Sequence, residues 1–353
     1  MDANVFLPAL TAVLAAIFFV ALLDQWRTRR RHYQAIWALS ILFFGIAVTC
    51  EAIAAAAGWS EPIYRVWYLT GAVWTAGWLG LGDAFLLGRT RFGFAFALCL
   101  FFAGLFTFLT ARKSPEIYAD ASTTAMLYFL VAAVLALAVS VETYFQNWRW
   151  PWMALLAVGG ATVLSIVLMA MATLPEPGYA LDPETGVPIA AILPPELRLL
   201  TPFMNITGAF ALILGALFSA YVFMPKKRVL DYSLDPSQSG DQFMFNALIA
   251  IPAIFVNFLA SLPGALRALF TGKINSRVPA TLLIAIGAFI PALTDSLNRF
   301  GSTEWFQLGK LLGMVFLLAG FLVSTETFAE IRVPFTSIVL RGERTETREV
   351  TKP

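Results

Sequence analysis

Glu51 is the residue of this chain best placed to do chemistry. It stands in Val48-Thr49-Cys50-Glu51-Ala52, inside an apolar run, on a stripe with the small residues Ala47 and Ala55. A carboxylate at that depth is costly in lipid, so a functional role is its default reading. Glu51 is therefore a candidate proton carrier or ligand anchor. The plainer alternative is a neutral or hydrogen-bonded carboxyl near the outer boundary of the run.

Trp67, Gly71, Trp74, Trp78 and Phe85 fall on one stripe of the next run. Trp74 and Trp78 lie deeper than an interfacial aromatic belt. They are candidate ligand-binding residues, the wall of an apolar pocket for a lipid, a quinone or another flat molecule. Aromatic packing against lipid or neighbouring helices is the alternative. Asp83 closes the segment Trp78-Leu79-Gly80-Leu81-Gly82-Asp83. It lies near the end of the run, where Arg89 or Arg91 is its expected partner.

Absences bound the chemistry as well. His32 is the only histidine, and it lies in a polar connection. Haem held by axial histidines inside a bundle, a histidine-based zinc site and a Ser–His hydrolase all lack their residues. Gly272-Lys273 and Gly309-Lys310 lack the flanking pattern of a phosphate-binding loop. A retinal Schiff base needs a lysine in the seventh run, and 203–224 has none; Lys310 is the only lysine near membrane depth. No catalytic residue, metal or cofactor is assigned, and the chain is expected not to be an enzyme. Cys50 and Cys99 sit at different depths and read as small buried residues rather than a disulfide.

The elements that must position these residues follow from composition. Of 353 residues, 59% are hydrophobic and 13% are charged, with mean hydropathy +0.75. A soluble domain carries about 25% charge, so lipid is the expected solvent. A crossing takes about 20 residues of helix, and isolated strands would leave backbone groups unpaired there. Apolar runs at 5–23, 35–57, 64–87, 92–110, 122–142, 152–173 and 203–224 are followed by 243–266, 279–297 and 307–329. The expectation is an all-α polytopic transmembrane helical bundle: seven spans plus a C-terminal extension of two to three helices. The expected divisions are a seven-span bundle at 1–224, a cytoplasmic linker at 225–242, a C-terminal helical membrane module at 243–330 and a polar tail at 331–353. Asp2 stands where a signal peptide would be positive, so the first run is expected to be retained. A net charge of +2 gives no reason to expect nucleic acid.

Charge asymmetry orients the first seven spans. Arg27, Arg29, Arg30, Arg31, Arg89, Arg91, Arg149, Lys226, Lys227 and Arg228 fall on one side. Arg65, Arg112, Lys113 and Arg198 fall on the other, with most of the acidic loop residues. The N-terminus is expected outside the cytoplasm of a multi-pass cell-membrane protein. Residues 243–266 are ambiguous. A full crossing would carry Arg267, Lys273, Arg277 and the basic tail outside. Asn246, Ala250, Ala253, Asn257, Ser261, Gly264 and Arg267 form a polar or small stripe along that segment, which favours an interfacial or re-entrant helix. Asp295, Asn298 and Arg299 at one end of the ninth run, and Glu326 and Glu330 near the opposite end of the tenth, read as boundary residues.

Ala72, Ala76, Gly80, Ala84 and Gly88 make a small-residue ridge, a helix-packing device in lipid. Thr207, Ala211, Gly215 and Ser219 repeat it, and Gly309 and Gly313 form a GxxxG pair. Packing within the chain is the first reading and homo-oligomerisation the second. The loop at 174–201 holds Pro175, Pro177, Pro183, Pro188, Pro194 and Pro195. It reads as a semi-rigid spacer or as a lid or docking surface.

Tyr68-Leu69-Thr70-Gly71-Ala72 and Trp78-Leu79-Gly80-Leu81-Gly82 give the chain a resemblance. It resembles uncharacterised bacterial multispanning membrane proteins with that pattern, and the seven-span sensory modules at the N-termini of some bacterial signalling proteins. The pattern covers about 15 residues, and shared topology extends the likeness to the seven-span region. No kinase, cyclase or other output domain follows the seventh span, a departure from the signalling proteins. The resemblance implies a bacterial inner-membrane location and ligand or partner binding, with no activity attached. Three classes follow. The first is a sensor-like or accessory subunit that binds a membrane-protein partner or an apolar ligand. The second is a small-solute or lipid transporter, which needs a polar path through the midplane. The third is a lipid-modifying enzyme, which needs clustered polar groups at one interface.

Overall fold

The computed structural model describes residues 3–183, 186–233, 240–271, 274–298, 303–324, 331–332 and 339–341. The side chains of Asp295 and Asn298, together with Arg299, Glu326, Glu330, residues 234–239 of the expected linker and most of the expected tail, lie outside that set.

The apolar runs form helices: α1 (Ala3–Arg29), α2 (His32–Ala57), α3 (Glu61–Trp67), α4 (Thr75–Leu86), α5 (Phe92–Lys113), α6 (Pro115–Tyr118), α7 (Ser122–Tyr144), α8 (Trp150–Met171), α9 (Pro195–Phe223), α10 (Gly240–Phe270), α11 (Arg277–Asn298) and α12 (Thr303–Val323). Two short strands, β1 (Ile331–Arg332) and β2 (Val339–Arg341), pair antiparallel beyond them. Among the described residues, nine helices are long and apolar enough to cross a membrane. Large apolar side chains face outward, among them Val13, Val134, Leu137, Leu156 and Val163. This is the arrangement expected of a multi-pass membrane protein, whose outer surface meets lipid.

Sequence chemistry sets the helix ends. Gly58 follows α2 with φ 91° and donates its amide to Ala54 O at 2.8 Å, the left-handed exit that glycine favours. Pro62 and Pro151 stand in the first turns of α3 and α8, where the missing N–H costs nothing.

The third apolar run is not a single α-helix. Tyr68–Trp74 between α3 and α4 is a π-helical segment, and neither α3 nor α4 is counted among the nine. Such segments are rare and leave backbone acceptors out of register. Two α2 side chains serve carbonyls at and beyond the segment's end: Ser40 Oγ donates to Thr75 O at 2.7 Å and Trp37 Nε1 to Leu79 O at 3.2 Å.

Two apolar cores flank α4. One gathers Tyr64, Leu81, Phe92, Phe96, Trp150, Leu197 and Met204; the other gathers Phe18, Trp37, Ile41, Leu79, Met314 and Phe321. Leu81 and Leu79 place α4 in both. The expected separation into a seven-span bundle and a C-terminal module is not a spatial one for α11 and α12. They pack on each other, α11 packs on α9, and α12 packs on α1.

The proline-rich loop folds back over α3. Tyr64, fully buried, donates its hydroxyl to Ile189 O, and Arg65 donates to Met169 O and, at 2.7 Å, to Ala172 O at the end of α8. A guanidinium is favourable at a helix C-terminus, and Glu61 pairs with it at 2.7 Å.

Candidate functional site

Glu51 lies near the C-terminal end of α2, Trp67 ends α3, and Gln307 and Lys310 stand one turn apart at the start of α12. The three elements bring these four side chains together. Lys310 Nζ pairs with Glu51 Oε2. Gln307 Nε2 donates to the same oxygen at 3.2 Å, and Trp67 Nε1 donates to Oε1 at 2.8 Å. Lys310 Nζ also lies 4.2 Å from the centroid of the Phe306 ring, a cation–π distance. The Lys310 and Glu51 side chains are 8% and 11% exposed.

Both carboxylate oxygens are therefore engaged, and each charge has its opposite. That is the condition under which a buried ion pair is tolerated. Among the described residues, Gln307 Oε1 is buried with no hydrogen-bond partner.

Trp74 and Trp78 face α8. Trp74 Nε1 donates to Ser165 Oγ at 2.8 Å and Trp78 Nε1 to Thr162 Oγ1 at 3.0 Å. The Phe43 ring of α2 lies 4.9 Å from Trp74 and 6.0 Å from Trp78, centroid to centroid. Both indoles tie α4 and its π-helical entry to α8 while keeping a partly exposed edge. An open apolar groove of about 280 Å3 lies elsewhere, between α1 and α2, lined by Ala12, Ala15, Ala16, Phe19, Gly45 and Cys50 among others. Trp74, Trp78 and Glu51 do not line it. Cys50 and Cys99 are both buried and free.

Asp83 does not take the expected arginine partner. It is 5% exposed, and no ion pair joins it to Arg89 or Arg91 among the described residues. Its side chain turns toward α9, where a Cβ added at Gly215 would lie 2.5 Å from Oδ2. The arginines follow in the turn beyond α4 and do not share that face.

The small residues of the third run meet those of α9. A Cβ on Gly80 would come within 2.5 Å of Gly208 O, and one on Gly208 within 1.9 Å of Ala76 O. Ala84 is fully buried and Gly88 faces Pro151; Ala72 packs at the edge of the same core. Gly309 faces Thr294, and Gly313 faces Pro291 and Gly287 on α11. These contacts lie within one chain.

Sequence reasoning missed Lys310 as the partner of Glu51, and Ser40, Thr162 and Ser165 as anchors. One signal was present for the first: the lysine nearest membrane depth and the carboxylate deepest in a run need each other. Among the described residues, no group of three or more His, Cys, Asp or Glu is placed to hold a metal ion. No family model matches the chain, and no match is found among curated proteins or solved structures.

Proposed function

We propose that this chain is a sensor-like or accessory membrane subunit without catalytic activity, in which Glu51 and Lys310 clasp the C-terminal hairpin α11–α12 to the N-terminal helices. The observation that carries the reading is the buried pair itself, with Trp67 and Gln307 completing its shell. Ionisable residues inside a bundle are costly enough that they mark sites of function. This pair also joins elements from opposite ends of the sequence. A clasp of this kind has two arrangements, closed and open, and an apolar ligand or membrane partner acts by favouring one of them.

The topology that goes with this reading has the N-terminus outside the cytoplasm. Arg27, Arg29, Arg30, Arg89, Arg91, Lys226, Lys227 and Arg228 then face inward, in keeping with positive-inside bias. Glu51, Trp67 and Gln307 lie toward the outer face. The transporter alternative needs polar groups strung through the midplane. Glu51 is already paired, and Asp83 stands apart from it on the face toward α9.

The experiment is purification of the full chain in lipid nanodiscs, with native mass spectrometry of what stays bound. Retention of a specific lipid or partner by the wild type, weakened in Glu51→Gln, supports the proposal. Unaided movement of a solute into liposomes by the purified chain overturns it.

A further inference from the structure

The stripe of polar and small residues along α10 does not line a path through the bundle. It holds the connection that leaves α9. Asn257 Oδ1 accepts from Val229 N at 2.7 Å and from Leu230 N at 2.9 Å, and Asn257 Nδ2 donates to Leu230 O at 2.8 Å. Ser261 Oγ accepts from Lys227 N at 2.9 Å. Asn257 and Ser261 are buried by these contacts. The middle of α10 is thus fixed to residues that come just after α9 has ended. Its apolar contacts agree. Ala265, with Ile254, Phe258 and Leu262 beside it, packs on Tyr221 and Met224 at the end of α9 and on Val278 at the start of α11. Among the described residues, α10 has no long packing seam with any helix of the bundle.

A 31-residue helix is about 46 Å long. Were α10 to cross, its apolar stretch Pro252–Phe270 would be centred near Ser261, and Lys227, bonded to Ser261, would be drawn to the bilayer centre with its neighbours Lys226 and Arg228. Those three residues are exposed. The opposite face of α10 is also exposed, and it is apolar: Phe255, Leu259, Leu266 and Phe270. That face is too large to be left in water. It has the form of a helix lying in the interface with a basic flank beside it.

We infer that α10 lies along the membrane surface at the end of the bundle where α9 finishes, with Phe255, Leu259, Leu266 and Phe270 in the acyl boundary and Lys226, Lys227 and Arg228 binding anionic lipid headgroups. The inference rests on the membrane-spanning reading of the bundle and is independent of the Glu51–Lys310 clasp. Exposed lysines and arginines near a membrane are attracted to anionic lipid, so the basic triplet supplies the lipid preference and the apolar face supplies the depth.

The test uses the full chain with Cys50→Ala and Cys99→Ala, reconstituted in phosphatidylcholine with or without phosphatidylglycerol. Spin labels are placed singly at Phe255→Cys, Leu259→Cys, Leu266→Cys and Phe270→Cys. Power saturation with oxygen and with a water-soluble nickel complex then reads depth. The expected result is one shallow depth at all four positions, with nickel access falling when phosphatidylglycerol is added. Replacing the triplet with glutamine abolishes that lipid dependence, and Lys226→Arg with Lys227→Arg preserves it. A depth that passes through a maximum along the helix means a crossing and overturns the inference. Labels freely open to nickel in both lipids mean a face kept for a protein partner and overturn it too, as does indifference to phosphatidylglycerol.

Discussion

Glu51 and Lys310 are 259 residues apart in sequence and form one buried ion pair. The carboxylate receives the lysine and Gln307 on one oxygen and the Trp67 indole on the other. The pair therefore belongs to three elements, α2, α3 and α12, and none of them alone would tolerate its charge.

The α4–α9 contact leaves no room for a side chain. Gly208→Ala would place a methyl against the Ala76 carbonyl and Gly77 N, and backbone cannot yield as a flexible side chain does. Overpacking of this kind costs about 1–3 kcal/mol, so Gly208→Ala is expected to lower thermal stability in detergent. Gly160→Ala is the control, because nothing lies within 4 Å of its added Cβ. Equal melting temperatures for the two variants would remove the account of the small-residue ridge.

Trp74→Phe keeps the ring contact with Phe43 and loses the bond to Ser165. Interhelical hydrogen bonds in membrane proteins average about 0.6 kcal/mol, and a destabilisation of that order is expected, matched by Ser165→Ala and not increased when both are changed. Reversible unfolding in mixed micelles reads it. A Trp74→Phe variant of unchanged stability that no longer retains a copurifying lipid would instead make the indole a ligand contact.

Arg89→Gln and Arg91→Gln are expected to leave stability within about 0.5 kcal/mol of wild type, as surface substitutions do, since neither arginine holds Asp83. Gly215→Ala should cost more, because its methyl enters the space of the Asp83 carboxyl. Thermal unfolding of the three variants checks the order. A large loss in either arginine variant would restore the pairing that the sequence suggests.

The helical class and most helix positions were legible because lipid admits few alternatives: long apolar runs must be helices. The break at Tyr68–Trp74 was not legible. Its residues are as apolar as their neighbours, and the acceptors near its end are served from α2 by Ser40 and Trp37, residues distant in sequence. Asp83 was misread for a related reason. Sequence distance put Arg89 and Arg91 nearest, whereas the face of α4 that carries Asp83 is turned toward Gly215. Trp74 and Trp78 were visible as a stripe, but hydroxyls on α8 decide where their N–H groups point. Glu51 stood out by depth alone. Its partner lay beyond periodicity, in a helix that only folding brings alongside.

The most direct test of the clasp is a double-mutant cycle at Glu51 and Lys310. Unfolding free energies in bicelles are measured for wild type, Glu51→Gln, Lys310→Met and the double variant. Removing one member of a buried pair strands the other and costs about 3–5 kcal/mol. Two strongly destabilised single variants are expected, and a double variant that loses about 1–3 kcal/mol less than the sum of the two single losses. Additive losses, or single variants as stable as wild type, would contradict the clasp.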